Sequence, residues 1–189
     1  MPDNAKAVRV EAFGETFDLA IQPNFSAALT GARILFTINK NNRLEWIADW
    51  AHWHAALHGT DTVILFDNGS TDYSIEKLEG TLAAVDGLKT VIVISVPHKF
   101  GPIDTSVLKT KFYPRFLQIS MTNLALRRFG MQAEGLIDCD IDELAWAGGE
   151  SVYERAGRSA LGVTRMRGRW IEAARAPDAR ERGTLPPCM

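Results

Sequence analysis

The spacing of apolar and polar positions changes several times along the chain, and each change marks an element. From Val8 to Ile21 apolar and polar residues alternate around Gly14-Glu15, the pattern of a β-hairpin. Pro23-Asn24 and the small residues up to Gly31 read as a connection. Arg33-Ile34-Leu35-Phe36-Thr37-Ile38 is then nearly all apolar, as in a parallel strand buried on both faces. It ends in the polar cluster Asn39-Lys40-Asn41-Asn42. From Arg43 to about Leu57, residues Leu44, Ile47, Trp50, Ala51, His54 and Leu57 fall on neighbouring helical rows, and Gly59 supplies a stop.

The same alternation of elements repeats. Thr62 to Phe66 is a second buried strand, closed by the turn-forming Asp67-Asn68-Gly69-Ser70-Thr71-Asp72. A helix from about Tyr73 to Val85 follows, with Ser70 or Asp72 as candidate caps. Thr90 to Val96 is a third strand, Pro97 to Thr110 a loop, and Phe112 to Phe129 a helix stopped by Gly130. Gly135-Leu136-Ile137 opens a fourth strand that runs into Asp138-Cys139-Asp140-Ile141-Asp142-Glu143. Ser151 can cap a short helix to Arg158, Leu161 to Met166 reads as one more strand, and the chain after Ala173 as a loose tail. Strands separated by helices imply βαβ units, an open and mostly parallel α/β sheet with helices on both faces. Ligands of such sheets bind beyond the carboxyl ends of the strands. Three polar clusters fall there: Asn39–Asn42, Asp67–Asp72 and Asp138–Glu143.

Composition narrows the classes. The 189 residues are 46% hydrophobic and 23% charged, with a formal net charge of −2, as in an ordinary globular domain. That balance does not favour a nucleic-acid partner held by a strong positive field. No apolar run reaches the roughly 18 residues that cross a bilayer, so no transmembrane segment is expected. The opening Met-Pro-Asp-Asn-Ala-Lys does not read as a signal peptide, and Cys139 and Cys188 are too few for a disulfide framework, so a reduced cytoplasmic setting is expected.

The acidic cluster carries the most chemistry. If Asp138, Asp140 and Asp142 stay in one extended stretch, their carboxylates share a face at period two. Such a trio repels itself unless a cation or donors compensate, and a hard cation such as Mg²⁺ or Mn²⁺ could bridge it to a diphosphate. The plainer reading is a solvated strand end with capping aspartates. At Asp67–Asp72, side-chain acceptors, amide donors and a glycine could read a nucleobase edge or ribose hydroxyl, or simply form a turn and a cap. Lys40, Lys109, Lys111 and Arg115 are cations that could offset diphosphate charge or stand solvated on the surface. His54 and His58, at i and i+4, have zinc-ligand spacing, and His52 shares their helix; with no HExxH pattern and no evident third ligand, packing is expected. Trp46, Trp50 and Trp53 are expected in or near the core rather than as a sugar platform. Cys139 reads as a small buried hydrophobe. The chain lacks GxGxxG, GxxxxGK[ST] and GxSxG, which removes the usual markers of a dinucleotide fold, a P-loop and a serine-hydrolase elbow.

Taken in order, several stretches resemble one family. They are Thr37-Ile38-Asn39-Lys40-Asn41-Asn42, Leu44-Glu45-Trp46-Ile47, His54, Gly59, Phe66-Asp67-Asn68-Gly69-Ser70-Thr71-Asp72 and Asp140-Ile141-Asp142-Glu143-Leu144. Phe116-Leu117-Gln118 and Gly168-Arg169-Trp170 add pieces. Over about residues 33–170 the chain resembles family-2-like glycosyltransferases of the variety with KNE…EW…DN-S-D and DxDE motifs. The resemblance implies a GT-A fold and a metal-assisted transfer, with Mn²⁺ or Mg²⁺, from a nucleotide-diphosphate sugar to a hydroxyl of a carbohydrate or lipid-linked acceptor. It also implies a role in surface-polysaccharide biosynthesis, in the cytoplasm or at the inner face of a membrane. By motif, Asp140 and Asp142 would be the Asp-x-Asp pair that meets metal and nucleotide, with Asp138 an extra carboxylate. Asp67 and Asn68 would lie by the nucleobase, with Thr37 and Asn39 nearby. Asn68 stands where a second aspartate is frequent, and Asn42 where the pattern has Glu.

The catalytic residues stay unassigned, with Glu143 and Glu172 the candidates for a general base. The implied organisation is a hairpin appendage over 1–31, a nucleotide-sugar-binding domain over 32–173 with an incomplete acceptor half, and a tail over 174–189. Enzymes of this type continue further past the Asp-x-Asp strand, so the resemblance implies either a fragment truncated at its C-terminus or a minimal or degenerate transferase. Two other readings stand beside it: a non-catalytic nucleotide- or partner-binding module derived from such an enzyme, and a nucleotidyltransferase. The latter needs a glycine-rich loop after the first strand, which Asn39–Arg43 lacks.

Overall fold

A computed structural model describes residues 5–101 and 116–169. The loop and helix start expected between Pro102 and Arg115, with Lys109, Lys111 and Arg115, lie outside the described residues, as do Trp170, Glu172, Cys188 and the tail.

The hairpin is β1 (Ala7–Ala12) and β2 (Glu15–Ala20), paired antiparallel. Its two-residue turn, Phe13-Gly14, has positive φ at both positions (56° and 79°), as the right-handed twist of the strands demands. Val8 faces Leu19 and Val10 faces Phe17, while the alternate pair Arg9 and Asp18 forms an ion pair at 2.7 Å. Every strand residue except Ala12 is exposed. The connection after the hairpin contains a 3-10 turn, Ser26–Leu29.

The main sheet has four parallel strands: β3 (Arg33–Asn39), β4 (Thr62–Asp67), β5 (Thr90–Ser95) and β6 (Gly135–Asp138), in the order β5-β4-β3-β6. The expected α/β class with a parallel sheet is therefore present. The continuous apolar runs follow from having helices on both sides. Leu35, Val63 and Leu65 pack on one face with Ile47, Trp50, Leu78, Leu82 and Tyr153. Ile34, Phe36, Ile64 and Phe66 pack on the other with Leu117, Met121 and Phe129.

The first face is covered by α1 (Leu44–His58), α2 (Ile75–Ala83) and the short α4 (Val152–Gly157). Gly59 ends α1 in the left-handed region (φ 68°), its N–H bonded to Ala55 O at 3.0 Å, as the sequence predicts. The cap of α2 is Ser74, not Ser70 or Asp72: its Oγ accepts Lys77 N–H at 3.3 Å. Ser151 precedes α4 without capping it, because its hydroxyl donates to His58 O instead (2.9 Å). The second face is covered by α3 (Phe116–Leu124), which continues as a π-helical segment, Ala125–Gly130. Leu161–Met166 is not a strand. Leu161 and Val163 are 88% and 70% exposed, and Ser159 Oγ closes a turn onto the backbone of Val163. With no neighbouring strand to pair them, these apolar residues gain nothing from extension.

Candidate functional site

Going from β5 the strands run back to β3, and the next strand, β6, lies on the far side of β3. That reversal opens a crevice at the carboxyl ends, where open α/β sheets place ligands. A cleft of about 1140 Å³ occupies this position. Its walls come from every strand end: Phe36, Ile38 and Asn39 of β3, Asn68 and Gly69 after β4, Pro97 to Phe100 after β5, and Asp138 of β6.

The first two polar clusters fold into one hydrogen-bonded unit beside the cleft. Asn39 Nδ2 donates to Asp67 Oδ1 (3.0 Å) and to Tyr73 OH (2.9 Å), and Asn39 Oδ1 accepts from Asn42 Nδ2 (3.0 Å). Asp67 Oδ2 accepts the N–H of Ser70 at 2.9 Å. Asn41 holds the left-handed region (φ 54°), and its side-chain carbonyl accepts Thr71 N–H at 2.7 Å. Asn39 and Asp67 are buried, 0% and 2% exposed, so their polar atoms are spent on fastening the β3 and β4 ends together. Thr37 is also buried, and neither it nor Asp67 lines the cleft. Asn68 does. Its Nδ2 donates to Val96 O (2.8 Å) and His98 O (2.7 Å), which ties the β4 end to the segment after β5.

Beyond β6 the sequence expectation needs correction. The chain leaves the sheet after Asp138 and turns at Ile141-Asp142, with Glu143 N–H bonded to Asp140 O (2.9 Å) and Asp140 N–H to Glu143 Oε2 (3.1 Å). The three aspartates are therefore not in extended alternation. The turn forms because Cys139 and Ile141 are drawn into the α1–α2 face of the core. Asp138, Asp140 and Asp142 nevertheless all line the cleft. Surrounding protein desolvates the Asp138 carboxylate and raises its pKa; the Thr122 hydroxyl, donating at 3.1 Å, opposes this, and nearby Glu143 adds to it. Burial likewise pushes the Cys139 thiol up to about 12, which leaves it a protonated donor to Glu143 O at 3.2 Å.

No group of three or more His, Cys, Asp or Glu among the described residues is placed to enclose a metal ion. The aspartates do suit a different arrangement. A hard divalent cation commonly takes one or two protein carboxylates and completes its shell with phosphate oxygens. The histidine pair of α1 is committed elsewhere. His54 Nδ1–H donates to Trp50 O (2.8 Å) while Nε2 accepts Ala145 N–H (3.3 Å). His58 Nε2–H donates to Ala145 O (3.0 Å) while Nδ1 accepts Val152 N–H (3.4 Å). Both rings fasten the chain after β6 onto α1, as packing residues do.

Several lining residues were not among the expected site residues, although Gln118 belongs to a stretch that resembles the family pattern. Lys99, His98 and Phe100 follow β5, and Gln118 and Thr122 stand on α3. The last two sit at i and i+4, a polar pair on a helix whose neighbouring rows pack the core, and that interruption was a readable signal. Trp50 is fully buried as expected, but Trp46 is 54% exposed and lines the cleft. The cleft is thus lined by Lys40 and Lys99 together with three carboxylates, several side-chain amides and the Trp46 indole. No helix among the described residues is long and apolar enough to cross a membrane. No family model, curated protein or solved structure matches the chain.

Proposed function

We propose that the chain binds a nucleotide-diphosphate sugar in this cleft and transfers the sugar to an acceptor hydroxyl, as a glycosyltransferase of GT-A type. The observation that carries the reading is the meeting of four parallel strand ends at a topological switch point that bears three carboxylates, two lysines and a fixed amide. From β4 to β6 is two strand spacings, about 10 Å, room for a nucleoside at one end and a diphosphate at the other. Asn68 presents its carboxamide at the nucleoside end. Lys40, just after β3 and beside β6, would offset phosphate charge, while Lys99, after β5, lies toward the nucleoside end. One or two of Asp138, Asp140 and Asp142 would hold a Mn²⁺ or Mg²⁺ ion jointly with phosphate oxygens, and that ion would stabilise the departing diphosphate.

The carboxylates need phosphate to complete a metal shell, so metal and nucleotide should bind cooperatively. Calorimetric titration with UDP or GDP tests this. Affinity should rise by about tenfold or more when Mn²⁺ is present, and Asp140→Asn or Asp142→Asn should abolish that gain. Equal, negligible heats with and without metal for every nucleoside diphosphate would remove the proposal.

A further inference from the structure

We propose that Trp46, Trp53 and Trp146 form a saccharide-binding track that leads out of the cleft along α1, and that the acceptor is a carbohydrate chain gripped by its ring faces. The sugar-transfer reading supplies the word acceptor; the track itself rests on its own geometry. Trp46 opens onto the cleft. Trp53 is seven residues further along α1, about two turns and 10 Å, and so on the same side of the helix. Its indole N–H donates to Ala145 O at 2.7 Å, which fixes the ring. The ring of Trp146, 60% exposed, lies beside it at 6.4 Å between centroids and a tilt of 51°. Leu57 and Leu144 are also exposed, at 39% and 49%. The Arg43 guanidinium stands 5.5 Å from the Trp46 ring centre and holds that indole in place.

Two large rings left open to water, Trp46 and Trp146, with the half-buried Trp53 beside them, are costly unless something covers them. A pyranose suits them: its axial C–H groups make one apolar face, and its hydroxyls point outward to water. The surrounding charge does not suit an anionic lipid surface, because Glu45, Asp49 and Glu143 outnumber Arg43 and Lys77, the cations that act on Glu45. The track also begins where the proposed donor site ends, so a saccharide held on it reaches the cleft with its terminal unit.

The 189-residue chain on a printed array of neutral oligosaccharides provides the test. Retention of a subset of glycans is expected. Trp146→Ala and Trp46→Ala should each weaken the retained glycan by about tenfold, the size of one lost ring stack. Trp46→Tyr should keep most of the affinity, and thermal melts should show all variants folded. Failure of the wild type to hold any glycan, or alanine variants that bind as well as the wild type, would overturn the track. So would a Trp46→Ala variant that loses nucleoside diphosphate while keeping glycan, since that ring would then serve the base. A separate titration of the wild type with Mn²⁺ and UDP or GDP reads the transferase proposal. Glycan binding without nucleotide binding would leave the track standing and remove the transferase.

Discussion

Asp67 accepts hydrogen bonds from Asn39 and Ser70 in a place nearly closed to water. Removing one partner of such a bond leaves the others desolvated and unpaired, which costs more than the bond itself contributes. Asp67→Ala should therefore lower unfolding free energy by about 2–3 kcal/mol in urea titrations, and should weaken nucleotide only through the loosened loops. Polar character at both strand ends was legible from Asn39 and Asp67 in the sequence. Which of those groups turn inward was not, because the Asn39–Asp67 bond joins residues 28 positions apart. Asn68, the next residue, has its amide pinned to the β5 side and lines the cleft. One position in a turn separates a residue buried between the strand ends from one that lines the cleft, and spacing alone does not say which is which.

At the scale of elements, α1 does more than cover the sheet. Through His54, His58 and Trp53 it holds the segment that carries the aspartates' far side, Ala145 to Val152. Burial lowers the His54 pKa from 6.5 to about 4. A histidine held neutral in the fold but free to protonate when unfolded makes the unfolded chain bind more protons between those values. Its stabilisation is complete above the unfolded pKa and is lost as pH falls toward 4. From pH 7 to pH 5 this should remove about 2 kcal/mol of stability. Urea midpoints across that range should fall for the wild type and change much less for His54→Gln, which starts lower.

The end of α3 shows a different lesson. Apolar spacing predicts a helix to Phe129, and helix is present, but the last six residues are π-helical. There the carbonyls of Arg127 and Arg128 accept from Asn24 Nδ2 and Phe25 N–H, and Phe25 stacks on Phe129 at 5.7 Å. Carbonyls at a helix end have no partner within the helix, so a neighbouring segment can take them. That segment is Asn24-Phe25, which leads into the 3-10 turn, a partner about a hundred residues earlier that helical periodicity does not contain.

For the whole molecule, the hairpin and the sheet behave differently. Apart from pairing with each other, β1 and β2 make few contacts with the other elements, and their apolar pairs Val8–Leu19 and Val10–Phe17 stay exposed. An isolated hairpin contributes little to the stability of a remote core. Deleting the residues before Asn24 should thus leave one cooperative thermal transition at nearly the same Tm, and should leave metal-dependent nucleotide binding intact. A large drop in Tm would show that the hairpin packs where the structure leaves it open. The sheet is the reverse case, since β3 pairs on both sides and its Ile34 and Leu35 are fully buried.

The amino-acid sequence by itself determined the elements and the class. Apolar period is a local property: side chains alternate along a strand and wind around a helix whatever lies far away, so six strands, most helix bounds and the Gly59 stop could be read directly. Tertiary structure alone decided the order β5-β4-β3-β6, and with it the crevice. It also decided that the chain turns after Asp138, because Cys139 and Ile141 gain more from burial than the three aspartates could gain from extension. It left Trp46 open on the cleft while Trp50, one helical turn on, went into the core. Those outcomes depend on contacts between residues far apart in the chain, formed only when the layers pack.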